Sequence, residues 1–599
     1  MIIAHPKYIN FKRIFGNICI SVLAILFIDA FAQSTVNNPY GVAGHGHFWN
    51  EVDSTNVKWA RMWSQDGAAL WGAIQPTHID SFYWDGLDAW VKEIDAKGYR
   101  MLLTIRTGGD STSFHPCKWT DVSFDSTVHP FLQPNFITFK EASFPPNDYQ
   151  EWYDFVYAVV ERYDGNHTDK NGDMLPAIHH FETQAENDIG TYWYGSKEEY
   201  YDRFLPVFYR AVHAANPSAT VIGGSITDKG IGLAIIDSMI RQGLDTGTIT
   251  NYYKTYFYGE DDVTWADIIS ENTNALVQRR VEYVNYSFKP FNDTVFYDKR
   301  GFHNYVRYDH LKDHISFEKR SMLAYGYNKN LWGTEVGIFD PLTFPVVPES
   351  VHAQQYQKKM VIQFAGGVEW FCFAPMTANP NDITNIFSPM YSLRPFQTPV
   401  ARKMRDAFAF VAGKINEVSG YYFDREEINN NVNFYYFKHN SSDKMFIAAW
   451  SQEGDTVTTA IDIPDQLDTL VVYDYAGNPF WPAHNDSLTL AYTSSPVFIE
   501  WKSVLSSSAL EPAINTHIST LRIRHNLFHQ YATVDFGCTI SKNPYTIEIY
   551  NSIGQLVKRI ENIKSEHFRV DKKYLTNGLY LIKAKANNKL IAARILIMH

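Results

Sequence analysis

The amino-acid sequence predicts an α/β fold in three parts, namely a (β/α)8 TIM barrel, an antiparallel β-sandwich after it, and a smaller β-sandwich at the C-terminal end. Three observations lead to this fold class. Strand and helix patterns alternate over residues 33–405, the periodicity changes to two residues over 406–502, and the net charge changes sign beyond residue 520. The chain has 599 residues, which is enough for several domains.

Residues 1–32 have the pattern of a secretory signal peptide. Lys7, Lys12 and Arg13 precede an apolar run over 18–28, and Ala30-Phe31-Ala32 fits a cleavage site. We therefore expect the mature chain to begin at Gln33. No later run reaches the ~18 apolar residues that a transmembrane helix needs, so we expect no membrane span in the mature chain.

Alternating patterns define the barrel domain, 33–405. Apolar strands are predicted at 57–63, 100–105, 177–183, 219–224, 329–334 and 368–373. Between them, Leu87, Trp90, Val91 and Ile94 share one helix face, and Ser196 opens a helix with a capping box. Because no Gly-rich phosphate-binding loop occurs, a barrel is favoured over a nucleotide-binding sheet, with its chemistry at the strand C-terminal ends. The segment 251–297 fits the pattern poorly and is predicted to be an excursion, a possible rim or lid.

The remaining chain is predicted to be β-structure. Short strands at 433–437, 445–450, 469–473 and 497–501 form the sandwich domain, 406–502. Residues 503–520, with Ser506-Ser507-Ser508, are predicted to be a linker. Residues 521–599 hold 13 Lys and Arg against 5 Asp and Glu, and none of the 15 Trp lies beyond Trp501. This split in charge and aromatic content indicates a separate module.

Within this module, Tyr545–Tyr550 alternates as a strand, and Asn577-Gly578 opens another. The stretches IEIYNSIGQLV and LTNGLYLIKA resemble the C-terminal sorting domain of type IX secretion, although His525-Asn526-Leu527 stands where that family usually has Pro-Asn-Pro. The resemblance implies recognition by the type IX secretion machinery of a diderm bacterium. It also implies a secreted or surface protein.

Two carboxylates stand where predicted barrel strands meet their loops. Glu186 follows the strand that ends near Thr183, and Glu335 ends the strand before Val336-Gly337. One such Glu alone is more often an ion-paired core residue. Two of them on separate strands fit glycoside hydrolysis, in which one carboxyl protonates the leaving oxygen and the other attacks or stabilises the sugar cation.

Around these residues the barrel resembles the retaining glycoside hydrolases of clan A. LPAIHHFETQAEN is similar to the clan's strand 4, and NLWGTEVG is similar to strand 7, which carries the nucleophile. GFHNYV is similar to strand 6, with His303 and Tyr305, and VKWARMW is similar to strand 2, with Arg61. The resemblance implies that Glu335 is the nucleophile and Glu186 the acid/base, acting on a β-linked polysaccharide or oligosaccharide by double displacement.

Strand 4 departs from the clan pattern. Where the clan has Asn before the acid, bonding the sugar 2-hydroxyl and the nucleophile, this chain has Ala185. In a second register Asp188 would be the alternative acid. An inactive surface glycan-binding protein on the same barrel is therefore the alternative function, and a structural surface protein without a sugar site is a third.

Aromatic and polar side chains near the predicted strand ends are candidates for sugar contacts, because apolar sugar faces stack on Trp and Tyr. The predicted substrate-binding residues are His47, Arg61, Trp63, Asn187, Trp193, His303, Tyr305 and Trp370. Trp49, Trp71 and His45 are further candidates.

Composition excludes other classes. The formal net charge of −12 argues against nucleic acid as a partner. We expect neither a cofactor nor a metal, since His45 and His47 lack a carboxylate at ligand spacing. The oxygen-rich stretch 164–173 could hold Ca²⁺ but lacks the order of an EF-hand, which favours a solvated loop.

Overall fold

The structure, a computed structural model, describes most of the barrel and sandwich and parts of the tail. The described residues are 40–43, 56–62, 69–77, 80–108, 144–188, 192–257, 262–305, 307–337, 349–373, 399–416, 420–452, 456–464, 467–484, 487–503, 521–524, 531–536, 545–551, 556–563, 567–571, 578–586 and 589–598. One compact unit spans Ser34–Val504, and another contains Leu505–His599. The predicted signal peptide, most of the predicted linker, His45, His47, Trp49 and Trp63 lie outside the described residues.

Eight parallel strands close into a barrel, which confirms the predicted fold class. The strands are β1 (Tyr40–Ala43), β2 (Trp59–Arg61), β3 (Arg100–Thr104), β4 (His180–Glu182), β5 (Thr220–Gly223), β6 (Lys299–Asn304), β7 (Leu331–Val336) and β8 (Val368–Phe373). Closure is direct, since Gly41 of β1 pairs with Cys372 of β8. All strand C-terminal ends therefore meet at one face.

Helices connect and surround these strands. They are α1 (Trp71–Ile74), α2 (Asp85–Ala96), α3 (Tyr149–Arg162), α4 (Lys197–Glu199), α5 (Leu205–Ala215), α6 (Asp228–Gln242), α7 (Thr246–Tyr256), α8 (Trp265–Asn272), α9 (Ala275–Tyr286), α10 (Leu311–Ala324), α11 (Glu349–Ala365) and α12 (Pro399–Lys414). A π-helical turn, Tyr200–Phe204, joins α4 to α5. Within the described ranges, no helix is both long and apolar enough to cross a membrane.

Local sequence explains two features of these helices. The Ser196 hydroxyl accepts from the Glu199 N–H and the Glu199 carboxylate accepts from the Ser196 N–H, which is the predicted capping box. Within the Tyr- and Asn-rich segment 251–297, the described residues form the end of α7, helices α8 and α9, and irregular chain after Tyr286. Ile249, Tyr253 and Ile268 pack there with Ile236 in a small core of their own, so the segment does not follow the pattern of the barrel helices.

Large side chains fill the lower part of the barrel interior. Trp59, Trp332 and Trp370 pack there with Leu102, Ile222 and Cys372, all almost fully buried. The Trp370 ring lies 5.6 Å from that of Trp59 and 4.8 Å from that of Trp332, measured between centroids. We call these three tryptophans the aromatic layer. Gly41 faces it, since a Cβ at this position would lie 2.6 Å from the Trp370 ring.

Antiparallel sheets follow the barrel. The sandwich contains a six-stranded sheet in the order β14-β13-β16-β11-β10-β9 and a two-stranded sheet, β12-β15. Its strands are β9 (Tyr421–Asn429), β10 (Val432–His439), β11 (Lys444–Ser451), β12 (Val457–Asp462), β13 (Leu467–Tyr473), β14 (Pro479–Phe480), β15 (Ser487–Tyr492) and β16 (Val497–Ser503).

The C-terminal unit has a three-stranded and a four-stranded sheet, in the orders β17-β18-β21 and β20-β19-β22-β23. Its strands are β17 (Leu521–Arg524), β18 (Tyr531–Phe536), β19 (Tyr545–Asn551), β20 (Leu556–Ile563), β21 (His567–Asp571), β22 (Gly578–Ala586) and β23 (Lys589–Met598). Two antiparallel sheets agree with the small β-sandwich expected for this module.

Candidate active site

Glu186 and Glu335 meet at the C-terminal face of the barrel. Glu335 is the second-last residue of β7, and Glu186 lies on the loop that follows β4. One carboxylate oxygen of Glu186, one of Glu335 and one ring nitrogen of His303 all lie within 4.8 Å of one another. The two carboxyl side chains are 18% and 13% exposed, so they are accessible yet largely removed from water.

The backbone of Glu186 adopts an unusual conformation. Its φ is 53°, in the left-handed region that a residue with a Cβ enters at a cost of about 1–2 kcal/mol. Its N–H donates to the Ser225 carbonyl at 2.8 Å, just beyond β5, which holds the turn in place. Strain of this kind persists where surrounding structure enforces it, and it is often found at functional sites.

Glu335 is surrounded by donors. Arg61 Nη1 lies 3.3 Å from Oε2, the Tyr305 hydroxyl donates to Oε1, and His303 Nδ1 lies 3.7 Å from Oε2. Arg61 is 4% exposed and comes from β2, whereas Tyr305 and His303 come from β6 and its end. The sequence-predicted Arg61, His303 and Tyr305 thus all reach the nucleophile candidate.

Glu182 is a site residue that the sequence analysis did not single out. It is 1% exposed and accepts from Arg61 Nε at 2.9 Å, from the Ser225 hydroxyl at 2.8 Å and from the Thr104 hydroxyl at 3.1 Å. Burial would raise the pKa of Glu182, but the charges of Arg61 and His303 and these donors outweigh burial and lower it. The available signal was a Glu inside a buried strand, which requires a partner such as Arg61.

His303 connects the two carboxylates. Its Nδ1 lies 2.8 Å from Glu186 Oε1, and its Nε2 is buried with no hydrogen-bond partner among the described residues. Burial lowers the pKa of His303, yet the charges of Glu335 and Glu186 outweigh burial and raise it. A cationic His303 can therefore stabilise negative charge on either glutamate.

Opposing effects act on the pKa of Glu335. Burial raises the pKa of Glu335, and the charge of Glu186 adds to that shift, whereas His303, Arg61 and Tyr305 oppose it. Arg61 and Tyr305 donate hydrogen bonds to the Glu335 carboxylate, and His303 lies 3.7 Å from it. His303 is at the same time within hydrogen-bond distance of Glu186, so one imidazole lies beside both carboxylates.

Asp188, the alternative acid, has a different environment. Its oxygens accept from the Thr227 N–H at 3.0 Å and the Thr227 hydroxyl at 2.5 Å, and Arg280 lies at 3.4 Å. The side chain is fully buried and faces the start of α6 and helix α9. Both Asp188 oxygens are thus engaged at the start of α6, whereas Glu186 lies beside Glu335.

Three of the predicted sugar contacts are buried in the structure. Trp370 is 0% exposed and belongs to the aromatic layer. Cys372, two residues later on β8, lies close enough to Arg61 and Glu335 for their charges to affect the pKa of its thiol. Trp370 therefore lies deeper in the barrel than the candidate site. Trp193 is also 0% exposed, and its ring packs on Tyr200 and Phe204.

Asn187 is 1% exposed and accepts from the Tyr201 hydroxyl at 2.9 Å. All three side chains are therefore buried in the described part of the chain. Trp71, a further sugar-contact candidate, is likewise 0% exposed.

A lysine pairs with two of the three aspartates in the acidic stretch 164–173. The Lys92 ammonium lies 2.8 Å from Asp169 and 2.8 Å from Asp173. The Lys92 hydrogen bond, aided by backbone N–H donors, lowers the pKa of Asp169 to about 2. The ammonium therefore supplies the positive charge that a bound cation would bring.

The fold and the site together define a barrel protein with a carboxylate pair at its C-terminal face. No curated protein matches the chain. Residues 528–598 match the family model described as "Secretion system C-terminal sorting domain", which confirms the prediction for the tail. This domain indicates export to the outer membrane or cell surface through type IX secretion.

Solved structures similar to this chain include three glycosidases. A family 39 glycoside hydrolase from the gut symbiont Bacteroides cellulosilyticus is 14% identical, covering 78% of this chain and 81% of its own, with a TM-score of 0.48. A glucosidase from Croceicoccus marinus is 12% identical, covering 78% of this chain and 96% of its own, with a TM-score of 0.46. A family 30 endoxylanase from Clostridium papyrosolvens is 12% identical, covering 79% of this chain and 98% of its own, with a TM-score of 0.41. The likeness is one of fold.

Proposed function

We propose that the chain is a secreted retaining glycoside hydrolase that acts on a β-linked polysaccharide or oligosaccharide by double displacement. The main support is the Glu186–Glu335 pair, whose nearest carboxylate oxygens lie within 4.8 Å of each other at the barrel face. Retaining enzymes hold their carboxyls ~5–5.5 Å apart, whereas inverting enzymes need ~6.5–9.5 Å to admit a water. The short separation supports retention.

In the first step Glu335 attacks the anomeric carbon while Glu186 gives its proton to the leaving oxygen. The bond to the leaving group breaks as the bond from Glu335 forms, through a transition state with positive charge on the sugar ring. Arg61 and Tyr305 orient Glu335 and lower its pKa against the effect of burial. His303 holds the Glu186 carboxyl in its strained loop position.

In the second step a water molecule attacks the glycosyl–Glu335 ester. Glu186, now ionised, accepts the proton of that water, and Glu335 leaves as a carboxylate. His303 and Arg61 both stabilise this returning charge. The product keeps the anomeric configuration of the substrate because inversion occurs twice.

The alternative is a surface glycan-binding protein that keeps the barrel without turnover. Ala185 before the acid offers no amide to a sugar, and the neighbouring Gln184 side chain donates to the Ala185 carbonyl at 2.6 Å. Fewer sugar-directed donors are therefore available at this position. This observation keeps the binding function open as a second candidate.

A panel of β-linked polysaccharides separates the two functions. The protein is incubated with each glycan, and released reducing ends are measured beside binding by isothermal titration calorimetry. Release that disappears in Glu186→Gln supports the hydrolase. Tight binding without release after long incubation supports the binding protein, and neither release nor binding on any glycan would contradict both.

A further inference from the structure

Helix α11 directs three consecutive polar side chains inward. Gln357, Lys358 and Lys359 are 0%, 2% and 0% exposed. The Gln357 amide donates to the Tyr475 carbonyl at 2.7 Å, and the Lys358 ammonium lies 4.1 Å from the centroid of the Tyr308 ring. Lys359 instead reaches the barrel strands. Two neighbouring buried lysines thus have different surroundings, which makes one a control for the other.

The Lys359 ammonium joins the ends of two strands. It donates to the Asn304 side-chain oxygen at 2.9 Å and to the Gly337 carbonyl at 2.6 Å, with the Asn304 carbonyl at 3.4 Å. Asn304 is the last residue of β6, and Gly337 directly follows β7. These acceptors satisfy the buried charge, which would otherwise be very costly.

The residues beside these strand ends belong to the candidate active site. Tyr305 follows Asn304, and Glu335 lies two residues before Gly337. The Gly337 N–H donates to the Asn304 carbonyl at 2.9 Å, and the Tyr305 N–H donates to Asp228 Oδ2 at 3.0 Å. The Tyr305 ring lies directly over Gly337, where an added Cβ would be 2.2 Å from a ring carbon.

The charge on Lys359 is the feature that needs an explanation. Burial lowers its pKa to about 7, while Asp228 and Asp309 oppose the shift. A methionine of similar length would fill the same space without a desolvation penalty. What the ammonium adds is the connection between two backbone segments that carry Tyr305 and Glu335.

We propose that Lys359 is a positioning residue that ties the end of β6 to the end of β7 and thereby sets the Tyr305 hydroxyl on Glu335. Its meaning for catalysis rests on the proposed function, whereas the tie is a property of the fold. Because Glu335 must point at the anomeric carbon, the tie controls the direction of the nucleophile.

Lys359→Met tests the catalytic part, with Lys358→Met as the matched control. Assays on full-length protein well below each variant's Tm should show a kcat for Lys359→Met that is ~10- to 100-fold lower, with little change in KM. The acidic limb of its kcat–pH profile should move to higher pH, because Tyr305 no longer lowers the pKa of Glu335. Arg61, His303 and Glu186, the other charged groups facing Glu335, are the same in both variants.

Hydrogen–deuterium exchange tests the tie without any substrate. Lys359→Met should accelerate exchange at the amides of Tyr305 and Gly337, and Lys358→Met should not. An unchanged exchange rate overturns the proposal, as does an unchanged kcat with an unmoved acidic limb when the wild type is active. If the wild type hydrolyses no glycan, the proposed function fails. The exchange rates then decide by themselves whether Lys359 ties β6 to β7. Lys359→Gln, which keeps an amide donor, replaces Lys359→Met should the latter not fold.

Discussion

Two layers inside the barrel differ sharply in chemistry. The upper layer, at the strand C-terminal ends, holds Glu182, Glu335, Arg61 and His303 in one hydrogen-bonded and ion-paired group. The aromatic layer below it consists of packed rings and is closed to solvent. Strand β2 contributes to both layers, since Trp59 belongs to the aromatic layer and Arg61 to the upper layer. A shift of two residues along a strand therefore moves a side chain from the core to the candidate site.

This difference changes the interpretation of the tryptophans. Of the five tryptophans predicted as sugar platforms, Trp71, Trp193 and Trp370 lie in packed cores, and Trp49 and Trp63 lie outside the described residues. A barrel interior has to be filled with side chains, and broad rings fill it efficiently. Abundant aromatic residues in a barrel sequence therefore indicate packing before they indicate sugar binding.

The largest expected effect comes from the upper layer. Glu335→Gln should lower kcat by ~10⁴-fold or more, because the amide cannot act as a nucleophile, while Tm stays near or above the wild-type value. Glu318→Gln is the matched control, since Glu318 is also a glutamate in the barrel domain but is fully buried and pairs with Arg300. The control should lose stability and keep its activity when folded. Full activity in Glu335→Gln would contradict the role of Glu335.

Arg61 contacts the carboxylates of Glu182 and Glu335, and a double variant separates these two roles. Arg61→Met leaves Glu182 buried without its ion-pair partner and should lower the free energy of unfolding by about 3–5 kcal/mol. Adding Glu182→Gln removes the unpaired charge and should restore part of that stability. The double variant should still have a kcat reduced by ~10²-fold, because Glu335 remains unsupported.

Denaturant unfolding and steady-state kinetics on the same preparations measure both quantities. Recovery of kcat together with stability in the double variant would show that Arg61 acts on Glu182 alone.

A smaller effect is expected in the aromatic layer. Trp370→Phe should lower the free energy of unfolding by about 1–3 kcal/mol through a cavity, with kcat and KM unchanged in the folded protein. Trp332→Phe, whose ring lies 4.8 Å from that of Trp370, should behave in the same way. A KM that rises in Trp370→Phe but not in Trp332→Phe would place Trp370 on the substrate and contradict the two-layer comparison.

The smallest effect is a pH-dependent difference in Tm. Burial raises the pKa of Glu335 in the folded protein, so its contribution to stability is present at low pH and is lost as pH rises through that value. Glu335→Gln should therefore have a higher Tm than the wild type near pH 7 to 8. The difference should vanish at low pH, where Glu335 is protonated in both states. A difference that grows toward low pH would contradict the raised pKa.

Much of this site could be predicted from sequence. Strand patterns predicted Arg61 and Glu335 in or at the end of barrel strands, and the resemblance to clan A added His303 and Tyr305. All four come together because the parallel strands of a closed barrel bring their C-terminal ends to one face. The depth of Trp370 could not be predicted, since a two-residue period gives the direction of a side chain but not its layer.

Two further features depended on long-range structure. The position of Glu186 beside Glu335 includes a left-handed turn at Glu186, which no local motif predicts. Glu182 was missed because its partner Arg61 is 121 residues away in sequence.

The central claim is that Glu186 and Glu335 form a retaining catalytic pair. The most direct measurement follows the anomeric proton of the first product by NMR during hydrolysis of a β-linked glycan. The account predicts that the β-anomer appears first and then mutarotates to the equilibrium mixture. Initial appearance of the α-anomer would show inversion and contradict the assignment of Glu335 as a nucleophile.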